Sequence, residues 1–128
     1  IPSGRVSNEV VHMIDLFPTT LSVAHVSPPS ALDLDGINIF EALSGNSMLP
    51  ERMLFFKREE RKGVLIAVRH GKWKLLTNLD ESRLELYDIT NDPSELNNLA
   101  DKHSDVAKSL SAHALKWQAT LVEDPVLE

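Results

Sequence analysis

Four short apolar runs follow one another between residues 51 and 90, and the links between them are too short for a parallel sheet. The runs are RMLFFKRE, GVLIAVRH, KWKLLTNL and RLELYDI, and their Leu, Val, Ile and aromatic content is typical of strands. A parallel return needs a crossover of about a dozen residues or more, whereas Gly71 indicates a tight hairpin. The pattern therefore predicts a small four-stranded antiparallel sheet.

The segment after residue 103 carries the longest helical pattern. Its apolar residues recur at spacings of four, four, three and four: Val106, Leu110, Ala114, Trp117 and Leu121. The opposite face is expected to carry Lys108, Ser111 and Gln118, and Ser104 or Asp101 is placed to cap the start. One apolar stripe beside a sheet with one apolar face predicts an α+β unit in which the long helix packs on the sheet.

Residues 1–50 are organised differently, as short helices joined by loops. Pro18 lies near a helix start, with Asp15 just upstream, and Phe17, Leu21 and Ala24 share one face. A second helix is expected near residues 39–43, ending at Gly45 in a left-handed cap. We therefore predict two domains, 1–50 and 51–128.

Composition restricts the class of partner. The 128 residues carry 13 Lys and Arg against 19 Asp and Glu, a net charge of −6, which argues against a nucleic-acid partner. No apolar run approaches the ~20 residues that span a bilayer, so no membrane partner is expected. The chain has no cysteine, which excludes a disulfide, a Cys-ligated zinc and a thiol nucleophile within it. It begins on Ile1 without a Met, as a piece of a longer protein would.

Two acidic stretches could be taken for metal loops, and both have a structural explanation. In DPSE, Asp92 is placed as an N-cap, Pro93 at the first helical position and Glu95 where it could reach back to the cap. The glycine that an EF-hand loop requires is missing. In LDLDGIN, Gly36 is expected in a turn at positive φ. The five histidines show no zinc-binding spacing, so no metal is expected in this chain.

The densest basic cluster lies at the hairpin around Gly71. It consists of Arg69, His70, Lys72 and Lys74. These side chains could contact an anionic substrate, or they could simply be a solvated hairpin. There is no G-x-S-x-G elbow and no Gly-rich phosphate loop, so no catalytic residue is assigned.

The order of motifs resembles a known family. IDLFPTTL, LDG, AVRHGKWK and LYDITNDPSELNNLA follow one another, and a final helix carries LKWQ. The succession resembles the carboxy-terminal part of arylsulfatase-type sulfatases of the alkaline phosphatase superfamily, over residues 1 to about 117.

The resemblance implies a parent enzyme that hydrolyses sulfate esters with a formylglycine nucleophile and a calcium ion. The formylglycine is made in a C/S-x-P-x-R motif, and SPPSA has Ala31 where the arginine should be. Residues 1–50 would then be the end of the large α/β catalytic domain. Residues 51–128 would form the carboxy-terminal subdomain, which helps to wall the substrate cleft, with the basic cluster at its rim. Family resemblance suggests a periplasmic, extracellular or lysosomal location.

The absence of the catalytic motifs leads to an expectation about the chain by itself. Without the rest of the catalytic domain as its partner it would be inactive, and apolar residues of the first segment would lack a partner: Val11, Ile14, Phe17, Leu21 and Ile39. Such a patch favours self-association, so the isolated chain is expected to be a homo-oligomer. The alternative function is a non-catalytic, self-associating binding module with an anion-contacting hairpin.

Overall fold

The computed structural model describes residues 1, 3–4, 6–28, 32–60 and 63–121. The partial match to the formylglycine motif extends to Ala31 and so runs outside the described residues. By contacts the chain divides into two units, Ile1–Pro50 and Glu51–Glu128. The elements are a 3-10 turn (Met13–Asp15), α1 (Leu16–Val23), α2 (Phe40–Ser44), β1 (Leu54–Glu60), β2 (Gly63–His70), β3 (Trp73–Asn78), β4 (Leu84–Asp88) and α3 (Ser104–Gln118).

The second unit contains the predicted sheet. Its strands lie in the order β1-β2-β3-β4, and each pairs with its neighbour in antiparallel fashion. The register places Phe55 opposite Val68, Val68 opposite Leu75, and Leu75 opposite Leu86. Because side chains alternate across a strand, this row lies on one face. The α+β fold with a four-stranded antiparallel sheet is confirmed.

Helix α3 packs on that face and forms the core with it. Ile66, Val68, Leu75 and Leu86 are fully buried, and they cluster with small and aliphatic residues of the helix: Ala107, Leu110 and Ala114. Near the end of the helix, Trp117 stacks on Phe55 with ring centroids 5.1 Å apart. Within the described ranges, no helix is long and apolar enough to cross a membrane.

Two details of α3 differ from the prediction. The residue before its first turn is His103, and no side chain caps the start, so neither Ser104 nor Asp101 has the predicted role. Ser111 is fully buried rather than on the solvent face, because its hydroxyl donates a 2.8 Å hydrogen bond to Glu81 in the β3–β4 turn. A small polar side chain can be buried where such a partner is present.

The first unit is built around the buried carboxylate of Asp15. Its oxygens accept hydrogen bonds from the backbone N–H of His12 at 2.7 Å and of Ile37 at 3.0 Å. One turn later, the Thr19 hydroxyl donates to the Asp15 carbonyl and accepts from the N–H of Ile39 at 3.0 Å. These bonds attach the loop before α2 to the start of α1.

Glycine has two different uses in this unit. At Gly36 a Cβ would lie 2.9 Å from the amide nitrogen of Asp15 and closer still to the Ile14 carbonyl group. This residue therefore permits a close approach of two backbone segments, and the positive φ predicted for it is not found. Gly45 follows α2 at φ 83, which confirms the left-handed cap.

Apolar side chains of the first unit remain in solvent. Met13, Leu16 and Phe17 are 80%, 56% and 52% exposed, and Val11 and Ile14 are exposed as well. Two of the residues predicted to lack a partner are not exposed: Leu21 is half-buried, and Ile39 is only 3% exposed. The hydrogen bond from the N–H of Ile39 to Thr19 holds the start of α2 against α1.

Candidate functional site

The β2–β3 hairpin positions the four basic residues of the predicted site. Gly71 and Lys72 form the turn, with Gly71 at φ 53, so that His70 pairs with Trp73 and Arg69 with Lys74. Successive residues of a strand point to opposite faces. Arg69 and Lys74 therefore lie on the face away from α3, whereas His70 lies on the α3 side. The four cations do not form the single patch that their closeness in sequence predicted.

On the α3 side, the basic groups are matched by carboxylates. The Nζ of Lys72 lies 3.0 Å from Oδ2 of Asp88 and 4.5 Å from the Trp73 ring centroid. Nε2 of His70 lies 3.6 Å from Oε1 of Glu51. The hydrogen bond from Lys72 holds the pKa of Asp88 below its usual value, against the opposing effect of burial. This end of the hairpin therefore has little charge to offer a ligand.

The opposite face of the sheet holds a shallow groove of about 340 Å³. Its floor is apolar, made by Phe56, Leu65, Ala67 and Leu76, and Lys57, Arg58, Lys74 and Arg83 line its sides. The cations of this groove also have partners. Lys74 lies 2.5 Å from Glu95, Lys57 lies 3.9 Å from Glu59, and Arg58 pairs with Glu60.

A network of three residues lies on this face, with Arg83 just before β4 and Glu85 and Tyr87 within it. Glu85 accepts two hydrogen bonds from Arg83, at 2.9 and 3.0 Å, and one from the hydroxyl of Tyr87 at 3.0 Å. Arg83 lowers the pKa of the Glu85 carboxyl, and the same bond raises the pKa of Arg83. Burial raises the pKa of Tyr87. The sequence analysis did not identify this network, although its i, i+2, i+4 spacing on a strand was a usable signal.

The DPSE segment forms a turn instead of the predicted helix start. The N–H of Glu95 donates to the carbonyl of Asp92 at 3.1 Å, and Glu95 takes φ 55, which ends helical geometry at once. The Asp92 carboxylate accepts from the backbone N–H groups of Leu96 and Asn97 at 3.2 and 2.8 Å. These bonds, that from Asn97 first, lower its pKa.

The reason for the difference lies downstream. Leu99 donates its N–H to Leu86 of β4 at 2.7 Å, and the Asn98 side chain accepts the N–H of Leu86 at 3.0 Å. Pairing with the edge of β4 competes with helix formation in this segment, so α3 begins only at Ser104. Pro93 thus lies in a turn, and Glu95 is directed to Lys74 instead of to a helix cap.

The described residues offer no ready metal site. Nowhere in the described part of the chain do three or more His, Cys, Asp or Glu side chains come together as metal ligands would. The carboxylates of Asp88, Asp92 and Glu95 already have partners, which are backbone N–H groups or the side chains of lysine and asparagine. The described residues therefore do not fit the calcium ion that family resemblance implies for the parent enzyme.

The model of the family described as N-sulphoglucosamine sulphohydrolase, C-terminal, matches residues 1–120 of this sequence. The chain belongs to this family. The chain is 39% identical over 74 residues to the N-acetylgalactosamine-6-sulfatase of Canis lupus familiaris. This alignment covers 58% of the chain and 13% of the relative. The chain is 28% identical over 123 residues to the arylsulfatase K of Bos taurus, covering 80% and 21%.

Solved structures give the same relationship at the level of the fold. Ps i-CgsB matches with a TM-score of 0.80 at 24% identity, over 91% of this chain and 26% of the other. The 2-O GAG sulfatase BT1596 matches with a TM-score of 0.56 at 27% identity, over 82% and 23%. This sulfatase C-terminal chain thus spans about a quarter or less of the proteins it matches.

Proposed function

We propose that the parent protein hydrolyses sulfate esters and that this chain supports its fold and one wall of the substrate cleft. The observation that carries the proposal is the family match over residues 1–120. The curated relatives bear sulfatase names, and the order of sequence motifs supports the same assignment.

We further propose a sulfated sugar as the substrate class. The family name refers to an N-sulfated glucosamine, one relative is named as an N-acetylgalactosamine-6-sulfatase, and one solved structure is titled a 2-O GAG sulfatase. The shared chemistry in these names is a sulfate group on a carbohydrate. A sugar substrate is therefore favoured over the aryl sulfates and sulfolipids that sulfatases of this type also use.

The chain by itself is proposed to be inactive. It lacks a complete C/S-x-P-x-R motif and has no cysteine, so it contains no precursor of the formylglycine nucleophile that family resemblance implies. The donor groups in the described ranges do not assemble a calcium site. Both the nucleophile and the metal are assigned to the rest of the parent protein.

Residues 1–50 are proposed to be the end of the catalytic domain, and residues 51–128 the carboxy-terminal subdomain. The division of contacts after Pro50 supports this assignment. The exposed Met13, Leu16 and Phe17 support docking of the first unit on the rest of the catalytic domain, because exposed apolar patches mark interaction surfaces. Without that partner, the isolated chain is proposed to self-associate through this patch.

The alternative, a non-catalytic binding module that uses the whole basic hairpin, is less well supported. Lys72 is matched by Asp88 and Lys74 by Glu95, which reduces the positive charge that the hairpin presents. A reduced field gives weaker attraction for an anionic partner.

The experiment compares this chain with the longest product of its reading frame. Both are assayed with added calcium on a chromogenic aryl sulfate and on a glucosamine sulfate. Activity in the longer product alone supports the proposal, and a preference for the sugar supports the substrate class. If neither product is active and no C/S-x-P-x-R motif lies upstream, the sulfatase proposal fails and the binding module is favoured. Light scattering of the isolated chain tests self-association, which a monomeric mass at all concentrations would refute.

A further inference from the structure

Arg69 differs from the other three basic residues of the hairpin. His70, Lys72 and Lys74 each have a carboxylate partner, whereas the side chain of Arg69 makes no hydrogen bond or ion pair with any other described residue. Its Nε atom is moreover buried without a hydrogen-bond partner. The residue as a whole is half-buried.

The surroundings of Arg69 add a second positive charge. Arg69 and Lys74 are directly opposite in the β2–β3 pairing, which places their Cβ atoms about 5 Å apart on the same face. Like charges in this arrangement repel one another. Lys74 has its own partner in Glu95, so the Arg69 charge is the one left unmatched.

Two further carboxylates on this face are already used, and Glu60 is the partner of Arg58. Glu85 accepts two hydrogen bonds from Arg83 and one from Tyr87. The hydrogen bond from Arg83 lowers the pKa of Glu85, so this carboxylate is already stabilised by its own partners. Of the two cations that face each other across β2 and β3, Arg69 thus keeps an unmatched positive charge. Its buried Nε–H also has no acceptor.

An oxyanion would satisfy both deficits at once. The planar guanidinium group presents N–H donors in a fork that matches a carboxylate or sulfate with two parallel hydrogen bonds. A buried donor without a partner is unfavourable, and an acceptor supplied from outside the chain removes that cost. Partial exposure of the side chain leaves a path for such a group to reach it.

We propose that Arg69 and Lys74 form a binding site for a single oxyanion, a sulfate or a carboxylate group. Arg69 supplies the hydrogen-bonding fork, and Lys74, which is held by Glu95, borders the site from the neighbouring strand. Two sources share this chemistry: an anionic group on a sugar ligand, and an acidic side chain from the rest of the parent protein. His70 and Lys72 belong to the other face and take no part. The existence of the site does not depend on the proposed sulfatase activity.

The first test titrates the 128-residue chain with sodium sulfate, and separately with sodium acetate, at constant ionic strength. The Nε–H signals of the arginines are followed by ¹H–¹⁵N NMR. Arg58 is the matched control, because it lies on the same face and is already paired with Glu60. We expect the Arg69 signal to move along a saturable curve and to move at least threefold further than that of Arg58. Equal movement, linear movement or no movement at Arg69 would overturn the proposal.

The second test identifies the source in the longer product, with R69M compared with R58M. If a sugar anion occupies the site, R69M raises the KM for a glucosamine sulfate about tenfold and leaves the melting temperature unchanged. If a protein carboxylate occupies it, the melting temperature falls and KM is unchanged. An R69M enzyme that matches R58M in both properties contradicts the proposal. Should the longer product be inactive, the sulfatase proposal fails, and the NMR titration still decides on the anion site.

Discussion

Replacing Gly36 with alanine should open the first unit while leaving the sheet intact. The added Cβ would lie 2.5 Å from the carbonyl carbon of Ile14 and 2.9 Å from the amide nitrogen of Asp15. Both neighbours are backbone atoms, so no side chain can rotate away. The backbone at residue 36 must shift, and the 3.0 Å hydrogen bond from Ile37 to the buried Asp15 carboxylate is lost.

The magnitude follows from those two contributions. Overpacking costs about 1–3 kcal/mol, and loss of a hydrogen bond to a charged group costs about 1.5–3 kcal/mol. A combined cost near 3 kcal/mol corresponds to a factor of about 10² in an equilibrium constant. The amides of Ile37 and Ile39 should therefore exchange with solvent about a hundredfold faster in G36A.

Native-state hydrogen exchange measured by NMR gives this quantity residue by residue. The amides of Ile66 and Val68 in β2 belong to the other unit and serve as an internal control. Their exchange should be unchanged. A G36A protein whose Ile37 amide keeps its exchange rate within threefold would refute the argument that close backbone approach requires glycine here.

Three further predictions concern the second unit. Leu75→Ala should lower the free energy of unfolding by about 2–5 kcal/mol, whereas Leu96→Ala, at a side chain that is 80% exposed, should change it by less than about 0.5 kcal/mol; urea denaturation followed by Trp fluorescence compares them. By the same assay Ser111→Ala should cost about 1 kcal/mol, and an unchanged midpoint would contradict a buried hydrogen bond. The pKa of Asp92 is lowered in the fold, first by the hydrogen bond from the backbone N–H of Asn97. Its contribution to the free energy of unfolding is therefore complete above the unfolded pKa of about 3.9, and it is lost as the pH falls through the lower pKa of the folded state. Asp92→Asn should therefore flatten the fall in stability below about pH 4.

The strands could be predicted because several local signals agree. Apolar alternation, short links and Gly71 all specify the same antiparallel sheet, and the GVLIAVRH run forms β2 with the predicted bounds. Gly45 likewise has a local reason for its conformation. These features depend on residues close together in sequence, and pattern reasoning is reliable for them.

The features that could not be predicted depend on contacts between distant residues. A helix cap at Asp92 is locally reasonable, but Asn98 and Leu99 pair with Leu86 across the chain and prevent the helix. The burial of Ser111 depends on Glu81, thirty residues away. The separation of the basic cluster onto two faces needed the strand register, and the ion pairs of its members needed the loop that brings Glu95 to Lys74.

The segment that follows β4 has a consequence for how the sheet can grow. Leu99 and Asn98 occupy hydrogen-bonding groups on the outer side of β4, so a strand from another molecule meets a covered edge there. At the other edge, β1 ends in Lys57, Arg58, Glu59 and Glu60, and charged side chains discourage strand addition. Continuous stacking of strands needs two open edges on every molecule. Edge-to-edge association of this unit is therefore limited to pairs through β1, and it cannot extend into a fibril by that route.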